Sequence, residues 1–97
     1  MYGLKVRIRT VIEPTDPISV ECVMTDYEGQ THYFREKLPN VSTELSPMIP
    51  GDGVIRCSVL HETNKYAEID TSLPDGVEST MGISRFKVHI QDLTDTA

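Results

Sequence analysis

The chain has 97 residues, 38% of them hydrophobic, and a formal net charge of -6 at pH 7. This length predicts one domain over residues 1–97 with a modest core, because domains commonly contain roughly 100–150 residues. The sequence has no run of about 20 apolar residues, which excludes a membrane-spanning helix and makes a membrane partner unexpected.

β-branched residues dominate the composition. The chain contains nine Val, eight Ile and ten Thr, against six Leu and two Ala. β-branched side chains are restricted at the first torsion and fit a pleated surface better than a helix. The composition therefore predicts an all-β chain.

The first part of the chain shows the alternation of half-buried strands. In residues 4–12, three apolar side chains share one face and three cations share the other. This pattern is typical of a strand with one buried face. Similar runs predict strands over residues 18–25 and 31–38, with a hairpin turn at residues 26–30 between them.

Alternation resumes after a long interruption at residues 39–53. It predicts strands over residues 54–62, 66–71 and 83–90, followed by a polar tail at residues 92–97 that is expected to fray. Five to six short antiparallel strands separated by turns are typical of a small barrel or sandwich. At this length we expect a Src-homology-three-like or oligonucleotide-binding-like architecture.

The two cysteines, Cys22 and Cys57, lie in phase with Ile and Val neighbours. Such positions favour reduced core thiols, although a disulfide or a redox pair remains open.

Lys5, Arg7 and Arg9 interrupt the first apolar stretch, so no signal peptide is expected. The expected compartment is therefore the reducing cytoplasm.

Motifs for catalysis, metals and cofactors are missing from the sequence. No Cys-x-x-Cys or His-x-x-x-His pair occurs, so neither a metal site nor a cofactor is predicted. Cys57 and His61 share a strand face, but four residues along a strand span roughly 13 Å, which is beyond hydrogen-bond reach. No catalytic residue is predicted, and a small enzyme without a recognisable motif is the third hypothesis for function.

Basic residues form the most informative pattern. They concentrate on the polar faces of the first and last predicted strands: Lys5, Arg7, Arg9, Arg85 and Lys87, with His89 beside them. If the end strands of a closed barrel are neighbours, these residues merge into one basic patch. The patch is a candidate site for a protein partner, nucleic acid or phosphate, and a solvated outer face is the alternative.

Two features of the sequence count against nucleic acid. The net charge is negative, and no aromatic residue is interleaved with these cations to stack on bases.

A second candidate surface comprises the loop residues Met48 and Ile49, which either close one end of the barrel or offer a docking surface. Tyr33, in phase with Arg35 and Lys37 on an outward face, belongs to the same candidate surface.

These observations predict a non-catalytic small β-barrel module that serves protein–protein interaction or assembly. A homo-oligomer is one form of that assembly, because pairing of copies covers exposed strand edges. The alternative is a module that binds nucleic acid or a phosphate ligand through the basic strand faces.

Overall fold

The alternating segments of the sequence form seven antiparallel strands in the computed structural model, which describes residues 2–42, 44 and 46–95. The strands are β1 (Tyr2–Glu13), β2 (Ser19–Thr25), β3 (Thr31–Lys37), β4 (Gly51–Glu62), β5 (Tyr66–Asp70), β6 (Arg85–His89) and β7 (Leu93–Asp95). Short 3-10 turns at Leu38–Asn40 and Ile90–Asp92 follow β3 and β6. These described ranges contain no α-helix and no helix long and apolar enough to cross a membrane.

The strands form one sheet in the order β3-β2-β1-β4-β5-β6, which curls into a half-barrel. β1 lies at its centre, because residues Tyr2 to Ile8 pair with β4 and residues Arg7 to Glu13 pair with β2. The prediction of a single all-β antiparallel domain is confirmed, with seven strands over the described residues. The finer likeness to Src-homology-three or oligonucleotide-binding barrels stays a prediction.

The end of the chain differs from the sequence prediction. Residues 92–97 were expected to fray, but Leu93–Asp95 forms β7, which pairs with Tyr2, Gly3 and Leu4 of β1. β1 pairs with β2 only from Arg7 onward, so Tyr2 to Leu4 have no partner in β2 and pair with β7 instead. Leu93 of β7 also packs against the core. Residues 96 and 97 lie outside the described part of the chain.

Inward-facing side chains of the strands meet in one core, and the loop at residues 71–84 adds a further member. Val77 in that loop is fully buried. The Thr71 hydroxyl donates to the Val77 carbonyl over 2.8 Å, and the Val77 N–H donates to the Thr71 carbonyl over 3.1 Å. The loop between β5 and β6 is thereby held as part of the packed body.

The half-barrel is open between its edge strands, β3 and β6, and we call this boundary the seam. The N–H of Tyr27, in the turn after β2, donates to the Lys87 carbonyl of β6 over 2.8 Å. The N–H of Thr80, in the loop before β6, donates to the Tyr33 carbonyl of β3 over 2.8 Å. The two ends of the sheet are therefore tied together by backbone hydrogen bonds.

Asp26 organises the turn that reaches across the seam. Its Oδ1 accepts from the N–H groups of Glu28 and Gln30, each over 2.9 Å, and its Oδ2 lies 2.8 Å from Nε2 of His32. The His32 ring in turn packs at 4.8 Å from the Phe86 ring of β6. Burial opposes ionisation of Asp26, but the hydrogen bonds from His32 and the two N–H groups outweigh it and lower its pKa.

We expect Asp26→Asn to destabilise the protein in a pH-dependent way. Because folding lowers the pKa of Asp26 from its ordinary 3.8, the carboxylate stabilises the fold above about pH 4, and this stabilisation is lost as pH falls through the lowered pKa. At about pH 7 the substitution should reduce the free energy of unfolding by roughly 1–2 kcal/mol. Urea unfolding of both proteins across the acid pH range measures this difference in the free energy of unfolding.

Asp52→Asn is the matched control, because the Asp52 side chain is fully exposed and its substitution should change little. A deficit for Asp26→Asn that stays constant as the solution is acidified contradicts the assignment.

Candidate functional site

The sheet separates the two halves of the predicted basic patch. β4 and β5 lie between β1, which carries Lys5, Arg7 and Arg9, and β6, which carries Arg85 and Lys87. The last strand of the chain, β7, is the one that pairs with β1. The expected adjacency of the first strand and the strand at residues 83–90 is therefore wrong, although the binding role of these residues stays a prediction.

Three of these cations make simple surface contacts. Nζ of Lys5 donates to the Gln91 carbonyl over 3.1 Å, and Nη1 of Arg7 lies 3.8 Å from Oδ1 of Asp52. Nε of Arg85 lies 3.7 Å from Oδ2 of its cross-strand neighbour, a largely buried aspartate in β5. The exposed contacts of Lys5 and Arg7 add little stability, typically about 0–1 kcal/mol. They leave the cations accessible without forming a joint site.

Arg9 belongs to a different neighbourhood, which we call the arginine groove. It has a volume of about 620 Å³ and its lining residues are Arg9, Glu21, Tyr33, Arg35, Glu78, Ser79 and Thr80. The groove combines the outer face of β2 and β3 with the loop that leads into β6. The sequence placed Tyr33 and Arg35 on one outward face, but their proximity to Arg9 depends on a bulge.

The bulge in β1 directs Arg9 toward Glu21. The register of β1 against β2 shifts between Ile8 and Thr10, so Arg9 is the additional residue, and bulges commonly redirect a side chain. Nη1 of Arg9 donates to Oε1 of Glu21 over 2.9 Å. The Glu21 Oε2 lies 3.8 Å from Nε of Arg35. The Glu21 carboxylate thus positions the Arg9 guanidinium by a hydrogen bond and has the Arg35 guanidinium in its vicinity.

Both guanidinium groups keep unused donors. Their side chains are 51% exposed in Arg9 and 66% exposed in Arg35, whereas that of Glu21 is 19% exposed. The guanidinium carbon of Arg9 lies 5.7 Å from the centre of the Tyr33 ring, within the range of a cation–π contact. Tyr33 is itself 40% exposed. The groove therefore presents two half-exposed cations beside an accessible aromatic ring.

The backbone of β3 presents an unpaired stretch of strand edge beside the groove. The N–H of Leu38 donates to the carbonyl of Ile18, and the Tyr33 carbonyl accepts from Thr80. Because alternate residues of an antiparallel strand face the same neighbour, even-numbered residues of β3 face β2 and odd-numbered residues face away. The N–H and C=O of Arg35 thus lie on an outer edge that no described backbone group pairs with.

Aromatic residues surround Lys87, contrary to the sequence interpretation that the cations lack them. The aromatic–lysine cluster consists of Tyr27, His61, Tyr66, Lys87 and His89. Nζ of Lys87 lies 4.2 Å from the Tyr66 ring centre and 5.1 Å from the Tyr27 ring centre. Tyr66 is opposite His89 in the β5–β6 register, whereas Tyr27 arrives from the β2–β3 turn.

The loop candidates separate in the structure. Ile49 is partly buried and packs against the core, as expected of a residue that closes the barrel. Met48 is 83% exposed and remains available for a contact with a partner. The predicted loop surface thus contributes one structural residue and one accessible residue.

Cys22 and Cys57 are free thiols buried in the core. Burial raises the pKa of Cys57 to about 11. Burial, together with the nearby Glu36 and Glu21 carboxylates, raises the pKa of Cys22 to about 12. Within the described residues, no group of three or more His, Cys, Asp or Glu side chains is placed to hold a metal ion.

Neither a protein-family model, nor a curated protein, nor a solved structure matches this chain. The functional conclusion therefore rests on the groove, the strand edge and the aromatic–lysine cluster.

We expect both thiols to be inert in the folded protein. The thiolate is the reactive form, and the raised pKa values leave little of it at about pH 8. Iodoacetamide should modify neither Cys22 nor Cys57 in native buffer and both in concentrated guanidinium chloride, as measured by intact mass. Rapid labelling of either thiol in native buffer contradicts this prediction.

Proposed function

We propose that the protein is a non-catalytic half-barrel module that binds another protein. The observation that supports this most strongly is the juxtaposition of the outer edge of β3 with the arginine groove. A partner segment in extended conformation can pair with this edge at Arg35, beyond the Tyr33 carbonyl that Thr80 already occupies, and side-chain pockets beside it then provide specificity.

The groove balances two arginines against Glu21 and Glu78, so the preference for an acidic partner segment comes from the outward face of β3 beside it. The outward face of β3 carries Tyr33, Arg35 and Lys37, one aromatic ring followed by two cations. Arg and Tyr are enriched among residues that dominate binding energy at protein interfaces. Arginine also forms paired hydrogen bonds with carboxylates, and the exposed Arg35 side chain keeps its donors free for them. We therefore propose an extended segment with carboxylate side chains as the ligand.

We place this module in a reducing cytoplasm, an assignment supported by its two free cysteines. A second copy of the chain is one partner that an open strand edge accepts, and the mass of the purified assembly distinguishes this case.

Arg35→Glu should abolish partner binding, because it reverses the charge beside the strand edge. Immobilised wild-type protein, Arg35→Glu and Arg7→Glu are exposed to the native extract, and the captured proteins are quantified by mass spectrometry. Arg7→Glu is the matched control, since it makes the same charge change on the exposed face of β1 outside the groove. A partner of the groove should be captured by wild type and Arg7→Glu and be lost with Arg35→Glu.

Capture that survives Arg35→Glu but is lost with Arg7→Glu contradicts the groove and favours the basic face of β1. Circular dichroism of each variant verifies that the fold is retained.

The second candidate function is binding of nucleic acid or a phosphate ligand through Lys5, Arg7, Arg9, Arg85 and Lys87. The specific observation in its favour is Lys87 beside the rings of Tyr27 and Tyr66, since single-stranded nucleic acid is held by cations and stacked bases. The net charge of -6 and the separation of β1 from β6 make it the weaker proposal.

This second function predicts a salt-dependent affinity. A fluorescent single-stranded oligonucleotide should bind at about 50 mM salt and dissociate as salt rises, because phosphate contacts release counterions. Fluorescence anisotropy measures the affinity, and no binding at low salt eliminates the nucleic-acid function. A neutral polymer of similar length serves as the control ligand.

A further inference from the structure

The aromatic–lysine cluster places two tyrosine rings around one ammonium group. The centres of the Tyr27 and Tyr66 rings are 5.3 Å apart and their planes are inclined by 53°. Nζ of Lys87 lies within 5.1 Å of the first centre and 4.2 Å of the second. A cation within about 6 Å of an aromatic centre is attracted by the negative charge on the ring face. Both tyrosines therefore contribute to holding the same cation.

The position of both rings is set by the fold. Tyr66 lies opposite His89 in the pairing of β5 with β6, and Glu68 lies opposite Lys87 in the same register. The Tyr27 backbone N–H donates to the Lys87 carbonyl, which fixes the turn against β6. The His89 ring packs at 4.6 Å from the Tyr27 ring and restrains it further. The two rings thus form a preorganised pair.

A carboxylate lies beside the pair. Glu68 is opposite Lys87 in the pairing of β5 with β6. A cation that takes the place of the Lys87 ammonium therefore keeps a negative charge nearby. Lys87 is also held by a flexible four-carbon stem, which allows its ammonium to leave the rings without moving β6.

We propose that Tyr27 and Tyr66 form a site for a methylated ammonium group, in which Lys87 is an exchangeable internal occupant. The primary ammonium of lysine is compact and strongly hydrated. A methylated ammonium loses less hydration when it enters an aromatic site, and aromatic recognition of choline and methyl-lysine uses this difference. The ligand displaces the ammonium of Lys87 into water and takes its place between the rings. This site shares no residue with the arginine groove.

Titration with tetramethylammonium chloride, followed through the NMR signals of the two tyrosine rings, tests the proposal. Lys87→Ala empties the site and should bind the ion about tenfold more tightly than wild type, because no internal ammonium competes. In wild type, the side-chain signals of Lys87 that lie near the rings should move toward their solvent-exposed positions as the ion is added. Sodium chloride at equal ionic strength is the salt control.

Two substitutions distinguish this site from unspecific binding. Tyr66→Leu in the Lys87→Ala background should abolish binding, whereas Tyr2→Leu, which removes an exposed tyrosine outside the cluster, should leave it unchanged. Equal binding by the Tyr66→Leu variant overturns the proposal, as does the lack of any response in Lys87→Ala. If Lys87→Ala does not fold, the NMR signals of Lys87 in the wild-type protein test the proposal instead. The proposal is overturned if these signals do not respond to tetramethylammonium.

Choline and a trimethyl-lysine peptide identify the source of the group. Tighter binding of the peptide indicates a modified protein, and tighter binding of choline indicates a small molecule or headgroup; either result supports the site. Binding of the oligonucleotide at the same rings, without a response to tetramethylammonium, overturns the proposal in favour of nucleic acid. Arg35→Glu should bind tetramethylammonium like the wild type, so failure of the proposed function and failure of this site are distinguishable.

Discussion

The incomplete closure of the sheet is the constraint on which the rest of the structure depends. Six strands curl into a half-barrel whose two edges, β3 and β6, are not paired with each other. A hydrogen bond from Tyr27 to Lys87 ties these edges, and the Phe34 and Phe86 rings, 5.7 Å apart, pack beneath it. Asp26 holds the turn that makes this contact possible. The core therefore stays covered although the ladder of hydrogen bonds does not close.

Both candidate sites are consequences of this seam. On one side, β3 keeps an outer edge, and the loop before β6 approaches it to form one wall of the arginine groove. On the other side, the turn after β2 brings Tyr27 to Lys87 and Tyr66. A fully closed barrel would pair these strand edges and remove the space in which both sites form. Both candidate sites thus lie where the architecture is least regular.

Local patterns in the sequence predicted the parts of the fold that depend on local physics. Alternation identified the strands, because one face of each is buried, as with Leu4, Val6 and Ile8. It could not identify β7, whose three residues form a strand only because Tyr2 to Leu4 are available to pair with them. Burial of Val77 was equally inaccessible, since it follows from the path of a loop across the core.

The candidate sites were less predictable, because they depend on which strands become neighbours. Alternation places Lys5 and Lys87 on outward faces but carries no information about strand order, so the merged basic patch was wrong in its geometry. Tyr27 and Tyr66 are far apart in sequence and meet only through the seam. The position of Arg9 beside Tyr33 required a bulge, which the regular alternation of β1 concealed.

The pairing of β1 with β7 has a consequence for how the module can be connected to other proteins. Tyr2 lies opposite Asp95, so the two ends of the described chain lie on neighbouring strands whose backbones are about 5 Å apart. Entry and exit points this close allow a domain to be inserted into a surface loop of a host protein without stretching it. They also allow the ends to be joined by a short linker and new ends to be opened elsewhere. A connection made at β1 and β7 would leave the seam between β3 and β6 untouched.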